Sequence, residues 1–168
     1  MGKYYSLEKI EKENSQYNMI IGERSNGKTY SCLYKGLKDY LSFGGELSII
    51  RRWGDDFKGK RGASMFNALV ENGVVSELSR GQWTDVYYYG ARWYLCYYDD
   101  KQKRICDVRP FAYAFALTSL EHDKSTSYPN IVNIVFDEFL SRGTHLGLKL
   151  YASWMIAIRS SSGISPSQ

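Results

Sequence analysis

Apolar positions along the chain fall into short, strand-length runs separated by polar loops, with one stretch at helical spacing near the start. Residues 3 to 16 are mostly polar and charged and predict a lead-in arm or short helix. Tyr17-Asn18-Met19-Ile20-Ile21 then makes a β-prone run that stops at Gly22, the pattern of a buried parallel strand. From Thr29 to Phe43, Leu33, Leu37, Tyr40 and Leu41 recur at helical spacing, and Gly44-Gly45 supplies a C-terminal stop. The predicted order is strand, loop, helix.

Leu47-Ser48-Ile49-Ile50 predicts a second strand, leading into Arg51-Arg52-Trp53 and a polar, glycine-punctuated loop through Gly62. A short helix is expected over Ser64 to Val70, ending near Asn72-Gly73. Val86 to Tyr89, Trp93 to Tyr98 and Arg104 to Val108 are β-prone runs separated by tight turns, which predicts an antiparallel meander. Phe111 to Leu117 reads as a further strand, and Ile131 to Phe136 is the most strand-like segment of all, closed by Asp137-Glu138. Leu146 to Ile158 reads as a helix, and the Ser-rich end, 160 to 168, as a frayed tail.

A length of 168 residues suits one domain. With 43% hydrophobic and 24% charged residues the composition is that of an ordinary globular protein, which excludes disorder throughout. The net charge of +4 permits contact with nucleic-acid phosphates without demanding it. Cys32, Cys96 and Cys106 lack metal-ligand spacing, so a reducing compartment and no metal-thiolate site are expected. No run approaches the roughly 20 apolar residues that span a bilayer, so no membrane partner is expected.

The chemistry is concentrated in Gly22-Glu23-Arg24-Ser25-Asn26-Gly27-Lys28-Thr29, which matches G-x-x-x-x-G-K-[ST] at every fixed position. By residue frequency alone, about one chain in a hundred of this length would carry it by accident. The strand before and the helix after are the setting the motif requires. Glycines at 22 and 27 permit backbone shapes that let N–H groups converge on phosphate, and the helix start adds partial positive charge. Gly22 through Tyr30 is thus the predicted ATP-binding segment. Lys28 is expected to reach the β- and γ-phosphates, and the Thr29 hydroxyl to ligate Mg²⁺. Asp137, at the tip of an apolar strand, is the expected second metal acid, because ligands gather at strand carboxyl ends in open α/β sheets. Glu138 beside it is placed to orient and polarise the attacking water.

Gly22 to Ser31, the Arg51-Arg52 pair, and the stretch from Leu117-Thr118-Ser119 through Lys124-Ser125-Thr126-Ser127-Tyr128-Pro129 into Ile134-Val135-Phe136-Asp137-Glu138-Phe139 resemble the DNA-encapsidation ATPases of small tailed phages. These are terminase-like motors of the additional-strand, catalytic-glutamate P-loop class, and the resemblance covers roughly residues 14 to 143. It implies a homo-oligomeric ring on the portal of a procapsid, pushing double-stranded DNA inward as ATP is hydrolysed. It also implies a host-cytoplasmic location during assembly and absence from the mature virion. Lys124 looks like a basic group that acts on a neighbouring subunit's γ-phosphate. Arg51 and Arg52 either couple the nucleotide to DNA-side loops or pair with Asp55 and Asp56. Beyond residue 146 no sensor strand, arginine finger or nuclease-like domain is matched, and Arg142 and Arg159 sit in unmatched contexts.

The expectation is therefore a single ATPase core domain over 1–168, a three-layer α/β P-loop NTPase with a mainly parallel central sheet and an added antiparallel β meander. The expected activity is Mg²⁺-dependent ATP hydrolysis driving DNA packaging. A helicase-like translocating ATPase, and a nucleotide-binding assembly module with little turnover, are the alternatives. His122 and His145 lack partners at ligand spacing and read as solvated. Lys58, Lys60 and Arg61 are candidates for sequence-independent DNA backbone contact.

Overall fold

The computed structural model describes residues 6–13, 15–23, 27–119, 126–137 and 152–159. A short helix α1 (Glu8–Glu13) leads into β1 (Tyr17–Glu23). Next comes α2 (Lys28–Phe43), which Gly27 opens and Gly44 closes, both in the left-handed region. The Gly44 N–H donates to Tyr40 O at 2.8 Å, satisfying a carbonyl that the helix end leaves over. Leu33, Leu37 and Tyr40, together with Cys32 and Gly36, form the buried stripe of α2, as the spacing predicts.

β2 (Glu46–Arg51) follows. Residues 54 to 78 form two 3₁₀ turns (Gly54–Phe57, Ser64–Phe66) and three short helices, α3 (Lys60–Ala63), α4 (Asn67–Glu71) and α5 (Val74–Leu78). The meander is β3 (Asp85–Tyr89), β4 (Arg92–Tyr98) and β5 (Arg104–Cys106). Gly90 and Ala91 join β3 to β4 with both φ angles positive (57° and 60°), the geometry whose twist suits a two-residue hairpin. The remaining described strands are β6 (Ala112–Ala116), β7 (Ile131–Asp137) and β8 (Ala152–Arg159).

The strands form one eight-stranded sheet, ordered β1-β8-β7-β2-β6-β4-β3 with β5 paired to β4. Among the described residues only β2 pairs in parallel, with β6 and β7, whereas every other pairing is antiparallel. This corrects the expected fold class. The protein is a small α/β domain on a mixed sheet, and the mainly parallel, three-layer P-loop NTPase arrangement is not what the chain builds. The meander is continuous with the sheet through β4 and β6, and residues 152–159, expected as helix, are the antiparallel strand between β1 and β7. Trp154-Met155-Ile156-Ala157-Ile158 is apolar throughout, and such a run fits buried helix and buried strand alike.

Among the described residues the helices contacting the sheet cover one face. Leu47 and Ile49 of β2, Val135 of β7 and Trp93 and Leu95 of β4 point into it, meeting Leu37, Phe66 and Leu69. Phe66 packs edge-on to Trp93 and Phe111, and the buried Trp93 indole donates to Gly62 O at 2.9 Å. On the opposite face Tyr128 packs edge-on against Tyr113 and Phe115. No described helix is long and apolar enough to cross a membrane.

Candidate nucleotide site

β1, β2 and β7 run in the same direction, so their last residues, Glu23, Arg51 and Asp137, lie toward one edge of the sheet. Helix α2 starts at that edge and runs back along the sheet. Two relationships fix this: Asn133, near the start of β7, donates to Asp39 in the last half of α2 at 2.7 Å, and Asp137, at the end of β7, lies close enough to Cys32 for its charge to act on that thiol. Cys32 is one turn beyond Lys28. The early turns of α2 and the carboxylate of Asp137 therefore lie at the same end of the sheet.

Gly27 holds φ 83°, a conformation that glycine adopts without steric penalty, and this turn starts the helix directly at Lys28. The Ser31 N–H and hydroxyl both donate to Gly27 O, at 3.0 and 3.1 Å, fixing the first turn. Lys28 is buried, Thr29 is half-buried, and Tyr30 packs against the hydrophobic core. Gly22 and Glu23 are the last two residues of β1. Arg24, Ser25 and Asn26 of the predicted loop lie outside the described residues, as do Lys124, Glu138, His122, His145 and Arg142.

Asp137 is 3% exposed and faces α2, in line with the alternation of β7 that buries Asn133, Val135 and Asp137 on one side. Its cationic partner is Arg51, whose Nη2 donates to Asp137 Oδ2 at 2.8 Å. The sequence suggests DNA-side loops or the nearby Asp55 and Asp56 for Arg51, and does not reveal this distant acid. Asp55 instead binds Lys58 at 2.7 Å, and Arg52 lies over the Trp53 ring. The link between Asp39 and Asn133, which Lys35 shares through Asp39, is equally invisible in the sequence.

These groups suit a triphosphate and Mg²⁺. A buried lysine at a helix start, behind a left-handed glycine, is a setting that favours an anion such as phosphate. Thr29 and Asp137 supply the hard oxygen donors that Mg²⁺ takes in small number alongside phosphates. Asp137 already holds a cationic partner in its buried position, as such an acid must. Burial first, and the charge of Asp137 second, push the Cys32 thiol up to about 12, so it stays protonated beside the site.

Residues 1–145 match the podovirus DNA encapsidation protein (Gp16) family. The chain belongs to that family. Encapsidation proteins act in phage DNA packaging, and membership bears out the packaging resemblance read from Gly22 to Ser31 and from the segment before Asp137. Similar proteins include the DNA packaging proteins of Bacillus phages PZA and phi29, each 24% identical over 137 residues, and that of Bacillus phage B103, 23% identical over 131. The matches take in 82%, 82% and 77% of this chain but 35%, 35% and 34% of those proteins, so the chain spans about a third of their length.

The encapsidation-family fold is also recognisable in three dimensions. The N-terminal domain of the DNA packaging ATPase from bacteriophage phi29 superposes with a TM-score of 0.59 at 18% identity, covering 85% of this chain and 63% of that one. A chain of the phi29 viral genome packaging motor assembly gives 0.62 at 20% identity, covering 99% of this chain and 40% of that one. At such identities the likeness establishes the fold, a small mixed-sheet α/β domain like that N-terminal domain.

Proposed function

We propose that this encapsidation-family chain is the ATP-hydrolysing core of a motor that moves viral double-stranded DNA into a procapsid. What supports the proposal is one corner of the fold: left-handed Gly27, buried Lys28 and buried Asp137 gathered where α2 begins and β7 ends. Segments far apart in sequence bring a helix amino end with its lysine and a carboxylate to the same end of the sheet, an arrangement that favours triphosphate chemistry.

In this mechanism Lys28 and the amides after Gly22 bind and orient the phosphates, with Arg24 to Asn26 completing the loop. Thr29 and Asp137 hold Mg²⁺, which when bound neutralises charge on the phosphate oxygens. Glu138 orients the attacking water and takes up its proton. Lys124 serves a neighbouring subunit's site in a ring that docks on the portal, in the host cytoplasm and on the procapsid before the virion is finished. Relatives named as DNA packaging proteins, and a neighbour that is part of a genome packaging motor assembly, favour these partners.

Phosphate release measured with Mg²⁺ and ATP, with and without double-stranded DNA, tests the proposal. Hydrolysis stimulated by DNA is expected. Lys28→Ala is expected to weaken ATP binding tenfold or more, and Glu138→Gln to bind ATP but not turn it over. Calorimetry that detects no uptake of Mg²⁺ and ATP by the unaltered chain defeats it, and binding without phosphate release in any condition reduces the chain to an assembly module. Unwinding of duplex without portal binding would reassign it as a helicase-like motor.

A further inference from the structure

Arg51 reaches Asp137 without any detour. In the parallel pairing of β2 with β7, Ile50 lies opposite Phe136, so the next residues, Arg51 and Asp137, are neighbours at the strand ends on the same face. On its other side Arg51 pairs with Ala116 of β6. The pair is well enclosed, with side-chain exposures of 18% for Arg51 and 4% for Asp137.

The guanidinium is nevertheless poorly satisfied. One N–H goes to one carboxylate oxygen, and the same nitrogen lies 4.0 Å from Met65 Sδ, a weak acceptor. The Phe57 ring lies 6.0 Å from its central carbon. Nε is buried and finds no acceptor among the described residues. Buried arginines that pair with a carboxylate frequently do so through two parallel N–H bonds, with the remaining N–H groups satisfied. Among the described residues Arg51 makes a single charged bond, to the acid that is positioned for a metal.

We infer that Arg51 is a resident stand-in for the metal: it holds Asp137 while the site lacks nucleotide, and gives the carboxylate up when Mg²⁺ arrives with the triphosphate. The inference rests on the reading of Asp137 as the metal acid. Asp137 is a buried anion and needs a positive neighbour in both states. A guanidinium and a divalent cation repel each other, so each weakens the other's hold on a shared carboxylate. Exchange satisfies both conditions. The arriving metal takes over the carboxylate, and the freed guanidinium, with its orphaned N–H, turns to new acceptors. The metal thereby competes for Asp137 far better when it comes together with its phosphates than alone.

Thermal unfolding of the full chain provides the test, using the unaltered protein, Arg51→Gln, Arg51→Lys and the double variant Arg51→Gln/Asp137→Asn. With millimolar Mg²⁺ and no nucleotide, Arg51→Gln is expected to gain about 2–4 °C, because its Asp137 is open to the metal. The unaltered protein, the lysine variant and the double variant should not move. If Mg²⁺ alone leaves Arg51→Gln unmoved while Mg²⁺ with a non-hydrolysable ATP analogue stabilises the unaltered chain, the nucleotide site stands and the stand-in role is wrong. If that analogue fails to stabilise the unaltered chain, the nucleotide reading falls and the inference with it. Should Arg51→Gln not fold, NMR of the unaltered chain decides. The Arg51 Nε–H signal, assigned by its loss in Arg51→Lys, must shift when Mg²⁺ is added to the analogue-bound protein; an unchanged signal overturns the inference.

Discussion

Asn133 on β7 donates a 2.7 Å hydrogen bond to Asp39 on α2, across 94 residues of sequence and in a buried setting. It is the far anchor of α2, as the approach of Cys32 to Asp137 is the near one. Asp39 also accepts from Lys35, one turn back in the same helix, so the carboxylate is balanced by one charge and one amide. The pair sets how α2 lies along β7, and hence where Lys28 stands relative to Asp137.

Asn133→Ala should destabilise the chain by about 1–3 kcal/mol, because a buried carboxylate is deprived of a donor that water cannot replace. Asn133→Asp should be worse, since it sets two carboxylates against each other. Urea midpoints at an unchanged m-value measure both effects.

Gly36 is the point of closest approach between α2 and β2. A Cβ added there would meet Leu47 Cδ2 at 2.6 Å, and Leu47 is fully buried. Gly36→Val should cost about 1–3 kcal/mol through overpacking. Because the strain lifts α2 from the sheet, the ATP binding proposed above should weaken as well, which calorimetry detects even though Gly36 lies outside Gly22 to Thr29.

The thiols report the same geometry. Cys32 and Cys96 are each pushed up to about 12 from an ordinary 9.0, chiefly by burial, whereas Cys106 is only half-buried. At pH 8 a disulfide reagent should modify Cys106 first and leave Cys32 and Cys96 silent until denaturant is added. A raised folded value favours the protonated thiol. Its contribution to stability is therefore complete below about pH 9 and is lost as pH climbs toward 12. Reaction of Cys32 at pH 8 in the folded chain would contradict its burial on α2.

What the sequence made legible was local. Gly22 to Thr29 is contiguous, so the strand before it and the helix after it could be read directly, and Asp137 stood out because it closes a largely apolar, strand-length run. The tight turns of the meander were equally visible. The pairing of Arg51 with Asp137, 86 residues apart, was not, because it depends on β2 and β7 being parallel neighbours in register. Residues 54 to 78 form short turns and helices without a sustained amphipathic period, and only one of the helices was anticipated. β8 was hidden by a uniformly apolar segment, and with it the mixed character of the sheet.

Lys58, Lys60 and Arg61 remain candidates for touching DNA. All three are exposed, on a segment whose Phe57 and Met65 flank the Arg51 guanidinium. Lys58 binds Asp55, holding that carboxyl below its usual range, but in an exposed pair that phosphate can replace. Changing the three to alanine should leave the fold intact and weaken duplex DNA binding at every sequence. The log–log dependence on salt should flatten by about 0.9 for each phosphate that is no longer neutralised. Unaltered salt dependence would place the DNA-binding surface elsewhere.

The slot that β8 fills between β1 and β7 also has a bearing on the order of synthesis. The strand leading to Lys28 and the strand ending in Asp137 acquire a common neighbour in the sheet only once residues 152–159 have been translated. A ribosome-bound chain stopped before that point would carry both strands with unpaired edges facing one another, open to illegitimate partners. Nucleotide capture should accordingly emerge late and abruptly as the nascent polypeptide lengthens, not gradually from its amino end.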